Sequence, residues 1–242
     1  MPKKNPSPPM NIIAHIHTDF SSKFGIPRQS GLVESLTGMI VFEPEYRNPS
    51  AFRGIEGFSH LWLLWEFSEA KRDGWSATVH PPRLGGNKRM GVFATRAPFR
   101  PNPIGLSCVK LDRLEMHPEF GPVLHVLGAD LMDGTPIYDV KPYVPHADCR
   151  PEATGGFSTP VKDYALEVVF PEEWLSFIPE EKREALCEVL AQDPRPAYQN
   201  DPERVYGFPF AGMDVRFRVK DGVLTVCEIE ILSDTPDRKE PS

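Results

Sequence analysis

The chain of 242 residues has no apolar run of membrane-spanning length, and its opening residues, MPKKNPSPPM, lack the apolar stretch of a secretion signal. A soluble, cytoplasmic protein is expected. No GxGxxG follows a predicted strand, so a Rossmann-type cofactor site is not visible. The four cysteines, Cys108, Cys149, Cys187 and Cys227, lie far apart and form no CxxC pair. That argues against a zinc ribbon or a disulfide framework and for reduced, buried thiols. The seven histidines are scattered, and His15 and His17 alternate on a predicted strand without a nearby cysteine or carboxylate cluster, so no metal centre is expected. A basic surplus is missing too: Lys+Arg 27 against Asp+Glu 34 gives a net charge of -7, unlike a general nucleic-acid binder.

Local charge departs from the sum. Between Pro81 and Pro101 lie Arg83, Lys88, Arg89, Arg96 and Arg100 with no acidic residue, and a polyanion responds to such a patch. Much of the negative excess sits in the C-terminal third, at Glu172, Glu173, Glu180, Glu181 and Glu184.

The 27 prolines, roughly twice the average usage, are spread along the chain and predict many fixed turns and few long helices. Residues 1–10 read as a disordered tail. Short β-branched or aromatic segments bounded by Gly, Pro or Asn follow at 11–18, 32–42, 58–67, 91–96, 105–114 and 123–131. Several such strands with punctuated turns suggest a barrel or sandwich over 11–149. RPEATGGFSTP (150–160) reads as a linker, and a small α+β domain is expected over 161–235, then a tail over 236–242. In that second part 164–170 alternates as a strand and 179–192 is a helix stopped by Pro194, with Leu186, Val189 and Leu190 inward. Residues 213–232 read as a hairpin turned by Asp221-Gly222, with Arg216, Arg218 and Lys220 on one face. The fold class is mainly β with a smaller α+β part.

The most informative segment is MGVFATRAPFRPNPIGLS (90–107). A strand delivers the chain into a loop where Pro98, Pro101 and Pro103 fix the backbone, a good mount for groups that must be pre-positioned. This stretch resembles the signature of the TsaA-like (TrmO) family, whose characterised bacterial members are tRNA N6-methyltransferases. KFGIPRQSGL (23–32), RGIEGFSHLW (53–62), PPRLGGN (81–87), DGTPIYDVKPYVP (133–145) and LAQDPRPAY (190–198) read as further motifs of the same family, in order. The resemblance implies an N-terminal β-barrel domain that binds S-adenosylmethionine, a smaller C-terminal domain, and a homodimer with cofactor near the subunit interface. It implies as substrate N6-threonylcarbamoyladenosine next to the anticodon of threonine-type tRNA.

Carried onto this chain, the resemblance assigns cofactor binding to Pro27, Arg28, Gln29, His60, Leu61, Arg96, Leu106, Asp133, Gly134, Thr135 and Pro136. Arg28 or Arg96 can fork a carboxylate, Asp133 can accept from ribose hydroxyls or an ammonium, and Leu61 and Leu106 can pack on adenine. The acceptor nitrogen is urea-like and poorly nucleophilic, so it needs positioning and proton removal. Asn102, in an Asn-Pro turn like that of adenine N6-methyltransferases of unrelated fold, is the candidate for orientation, and Asp133 or Asp139 for taking the proton. Tyr138, Tyr143 and Phe99 are candidates for stacking on a splayed base, and Arg83, Lys88, Arg89 and Arg100 for phosphates. The chain departs from the family's pattern at His17-Thr18-Asp19, where an Arg-Ser-Pro is common, and at Ala97, where a serine is common. The expected activity is S-adenosylmethionine-dependent tRNA adenosine N6-methylation. The alternatives are another RNA or small-molecule acceptor, or a module that binds without catalysis.

Overall fold

The computed structural model of the protein describes residues 10–70, 74–81, 88–157, 165–195 and 201–232. Arg83, residues 1–9, the end of the expected linker (158–160) and the tail at 236–242 lie outside them. The elements in chain order are β1 (Ala14–His17), β2 (Thr37–Phe42), β3 (His60–Glu66), β4 (Thr78–Val79), β5 (Met90–Gly91), β6 (Ile104–His117), β7 (Gly121–Leu127) and β8 (Thr135–Pro142). Then come α1 (Pro145–Asp148), β9 (Glu167–Val169), α2 (Glu172–Leu175), α3 (Glu180–Ala191), β10 (Tyr206–Phe210), β11 (Met213–Lys220) and β12 (Val223–Ile231).

Six strands close into a barrel in the order β1-β2-β7-β6-β3-β8, each neighbouring pair antiparallel. Alternation explains the closure. Ile16, Ile40, Leu61, Leu63, Val109, Leu124, Val126 and Ile137 point inward and form one core, and a closed sheet has no unpaired edge. The aromatic run LWLLWE is a barrel strand, in keeping with its length and composition. Two expected strands differ. The segment 91–96 is extended only at Met90–Gly91 and then winds into a short 3-10 helix, Val92–Ala94, because β4, its partner, offers just two residues. Within 32–42 only Thr37–Phe42 is a strand, since Val33 and Leu36, three apart, turn into a different core.

That second core belongs to a four-stranded sheet, β10-β11-β12-β9, in which β9 runs parallel to β12. The expected hairpin turns at Asp221 and Gly222, both at positive φ (51° and 83°). Helix α3 lays Ala185, Leu186, Val189 and Leu190 on the sheet. Of the basic face expected on β11, Arg216 is neutralised, while Arg218 and Lys220 stay exposed. Arg216 is held at 2.8 Å by each of Asp214, Glu228 and Glu230, because β12 places its carboxylates opposite it. The cysteines are free as expected, but none is fully buried: Cys108, Cys187 and Cys227 are half-buried, and Cys149, which follows α1 at the surface, is exposed.

The connection between β1 and β2 (residues 18–36) joins the two cores. Its Phe20, Val33 and Leu36 are buried among side chains of the second sheet, and the Phe20 ring meets Phe210 edge-on at 5.4 Å. Asp19 accepts from the Ala211 backbone N–H and pairs with Lys182 Nζ at 2.6 Å, and Lys182 also donates to Thr37 Oγ1. Gly25, at φ 84°, passes so close to the Phe208 ring that a Cβ would stand 2.2 Å from it. Phe20→Ala leaves a cavity where both sheets meet and should cost about 3–5 kcal/mol of stability, read as a lower urea midpoint with an unchanged slope.

Candidate functional site

At one rim of the barrel a cleft of about 710 Å³ opens, within the usual range of small-molecule sites. Four segments build it: the end of β3 with Phe67–Glu69, the loop 95–102 with the start of β6, the connection at 23–29, and the loop 130–135 before β8. The proline-rich loop is rigid for visible reasons. Ile104 N–H donates to Asn102 O and Arg100 N–H to Pro98 O, two tight three-residue turns of 2.8 Å each. The Arg100 guanidinium reaches back to Thr95 O at 3.0 Å and Ala97 O at 3.5 Å, tying the loop's ends together. Arg96 donates to Gln29 Oε1 at 2.5 Å, fastening this loop to the connection that the second sheet anchors.

Beneath these groups lies a directed chain of hydrogen bonds. Trp65 Nε1 donates to Ser107 Oγ at 3.0 Å, and Ser107 Oγ donates to Asp130 Oδ1 at 2.5 Å. Gly105 makes this possible, because a Cβ there would stand 2.2 Å from the Trp65 indole. Burial pushes the Asp130 carboxyl above the ordinary aspartate range, while hydrogen bonds from Ser107 and the Ser30 backbone and the charge of Arg96 pull the other way. Ser30 Oγ in turn accepts from the Cys108 N–H, so Asp130 sits where three of the four segments join.

The cleft gathers Pro27, Arg28, Gln29, Arg96, Phe99, Arg100, Asn102, Leu106 and Thr135 from the residues singled out in the sequence. It does not gather the rest. Asp133 accepts from Thr18 N–H and lies 3.2 Å from His17 Nδ1, so the His17-Thr18 departure is matched by its own partner. Gly134 is exposed at φ 73° in the turn and Pro136 is buried. Asp139 pairs with Lys141 at 2.7 Å. Leu61 is fully buried in the barrel core, and His60, bonded to Ser59, faces Tyr143 and not the cleft. Tyr138 interacts with Glu66, which raises its pKa after the larger effect of burial. Lys88 and Arg89 are exposed on the arm beyond, where Arg89 Nε meets His80 Nε2 at 3.3 Å. The sequence reading missed Asp130, Ser107 and Trp65, for which Gly105 inside a strand was the available signal. It also missed an exposed, stacked pair, Trp75 and Phe93, at 6.2 Å on the basic arm. Among the described residues no cluster of three or more His, Cys, Asp or Glu is placed to hold a metal ion.

Gly105→Ala forces the Trp65 ring off β6 and should cost about 1–3 kcal/mol, read as a lower melting temperature with a changed near-ultraviolet tryptophan signal.

Comparison with known proteins gives the architecture its relatives. The profile for the tRNA-methyltransferase O N-terminal domain matches residues 15–149, and that for the TrmO C-terminal domain matches residues 163–232. A protein named tRNA (adenine(37)-N6)-methyltransferase from Escherichia coli strain K12 is 42% identical over 226 residues, 90% of this chain and 96% of its own. A Pseudomonas aeruginosa protein named putative S-adenosylmethionine-dependent methyltransferase RcsF is 41% identical over 85% of this chain and 90% of its own. A crystal structure of TrmO superimposes with a TM-score of 0.76 at 33% identity, covering 93% of this chain and 99% of the other. Matched in order by both profiles and along nearly the full length of such relatives, the chain belongs to the tRNA-methyltransferase O family.

Proposed function

We propose that this protein transfers a methyl group from S-adenosylmethionine to N6 of adenosine 37 in tRNA, with the threonylcarbamoylated adenosine as the acceptor. The observation that carries the reading is the make-up of the rim cleft. Cationic Arg28 and Arg96, the amide of Asn102, a carboxylate at Asp130 and the apolar surfaces of Ile26, Trp65, Ile104 and Leu106 converge there. That donor set fits a ligand with an amino-acid end, a ribose and an adenine. When bound, the cofactor supplies an electrophilic sulfonium methyl. Arg96, braced by Gln29, still has N–H donors directed by a planar fork and suits the carboxylate end. Leu106, exposed at the cleft, offers an apolar face to the adenine.

Asn102 tops the rigid loop, and its side-chain oxygen orients the acceptor's N6–H for attack; a group held this way removes much of the entropic barrier. Phe99, on the same loop as Asn102, stacks on the flipped base, while Lys88, Arg89 and the Trp75–Phe93 pair meet the surrounding anticodon loop. The reading places the protein in the cytoplasm, where four free thiols stay reduced.

The active unit is a homodimer. His60 stands at the far end of β3 from Trp65 and Glu66, about 20 Å along the strand, too far to serve the same chain's cleft. His60 of the family's cofactor pattern therefore points to a second copy completing the site, with half-buried Trp62 and Tyr143, 5.7 Å apart, beside it. Sedimentation at micromolar concentration should give twice the mass of the chain, and a monomer that still methylates would overturn the dimeric site.

The decisive assay is transfer of labelled methyl from S-adenosylmethionine to threonine tRNA with and without the threonylcarbamoyl group. Transfer to the modified tRNA alone is expected. Asn102→Ala should slow it by about a hundredfold. Measurable cofactor binding without transfer to either tRNA would remove the proposed reaction.

A further inference from the structure

Resting on the methyltransferase reading above, we propose that Asp130 is the proton acceptor of the reaction, the group that takes the hydrogen lost by the acceptor nitrogen. Asp133 and Asp139, the carboxylates singled out in the sequence, are turned to His17 with Thr18 and to Lys141, outside the cleft. The carboxylates that line the cleft are Glu66, Glu69 and Asp130. Glu66 is engaged by Tyr138, and Glu69 sits on the short 3-10 helix Ser68–Ala70 that follows the rim. Asp130 is the one anchored at the junction of the cofactor-side connection, β6 and the loop before β8.

The hydrogen-bond chain fixes the direction of one bond to the carboxylate. An indole N–H can only donate, so Ser107 Oγ must accept from Trp65. The single hydroxyl hydrogen of Ser107 then points to Asp130 Oδ1, which must accept it. Oδ1 thus accepts from Ser107, and the carboxylate keeps further lone pairs for an incoming proton. Burial raises the carboxylate's proton affinity above the ordinary aspartate level while Ser107, the Ser30 N–H and Arg96 favour the charged form, and a raised proton affinity suits a general base. The other charged groups on the walls are Lys23, Arg28 and Arg100 on one side and Glu66 and Glu69 on the other.

The step balances without any further reagent. The N6–C bond forms, the sulfur–methyl bond breaks with its electron pair left on sulfur, and the N6 proton moves to Asp130 and from there to water as the products leave.

The test is single-turnover methyl transfer to the modified tRNA as a function of pH, beside calorimetric affinities for S-adenosylhomocysteine and for tRNA. In the wild type the rate should rise with pH as Asp130 loses its proton and then level. Asp130→Asn keeps an acceptor for Ser107 and should lose about 10²–10⁴-fold in rate, with both affinities within threefold of wild type. Ser107→Ala removes a donor that stabilises the charged carboxylate, so it should move the rising limb to higher pH. An Asp130→Asn variant with near-normal rate, or one whose loss is all in cofactor affinity, overturns the assignment, as does a limb that Ser107→Ala leaves in place. If Asp130→Asn does not fold, the limbs of wild type and Ser107→Ala decide. An active wild type beside an unimpaired variant sinks the role of Asp130 alone; an inactive wild type with bound cofactor sinks the reaction as well.

Discussion

The burial of Phe20, Val33 and Leu36 among the side chains of the second sheet is the constraint on which the site depends. Those three residues lie on the connection between β1 and β2, which also carries Pro27, Arg28 and Gln29. A connection of this length over a barrel rim would have many conformations if its only contacts were to solvent and to its own ends. Here the hydrophobic effect removes most of that freedom before a ligand arrives, and the polar link from Asp19 to Lys182 fixes the entry angle. Gln29 and Ser30 then reach Arg96, Cys108 and Asp130 from a fixed platform. The second sheet thus shapes the cleft without lining it.

Charge follows the same division of labour. The chain is acidic as a whole, yet the proline-rich loop and the arm before it are basic. The structure sorts the cations of these stretches by task. Arg100 holds the loop's backbone and Arg96 holds its neighbour, while Lys88 and Arg89 are left to solvent. On the C-terminal sheet three carboxylates surround Arg216, while Arg218 and Lys220 further along β11 stay exposed. A polyanion approaching this molecule is attracted at the barrel arm, and at the sheet the carboxylates around Arg216 offset part of the positive charge.

Much of the fold was legible because alternation and turn chemistry are local. The barrel strands, α3 with its Pro179 cap, and the Asp221-Gly222 hairpin all follow from a few neighbouring residues. The failures have a common cause. Val33 and Leu36 look like strand residues until a core whose members outside their own connection begin at Leu166 claims them. The extension expected after Gly91 needed a partner strand that β4 is too short to provide. The rim residues on the RPNPIG loop and at Pro27-Arg28-Gln29 were visible as motifs, and their convergence was not. Asp130 carried no motif of its own, since its significance comes from Trp65 and Ser107, residues that a linear reading assigns to packing. His60 and Leu61 matched a sequence pattern, and in the fold they lie away from the cleft.

The shared core also sets an order of assembly. Phe20 leaves the ribosome about 190 residues before Phe210, and at about 5–20 residues per second that is a delay of roughly 10–40 s. During this interval the barrel can close, since its strands end at Pro142, while Phe20, Val33 and Leu36 remain without the surface that covers them. Closure of a contact with so large a sequence separation is slow, so the connection between β1 and β2 gains its cover only after β10 and β11 have been made. Synthesis itself therefore holds the cleft open and incompetent until the final strands arrive, and a truncated chain would carry a sticky, unfinished rim that chaperones and proteases recognise before any tRNA does.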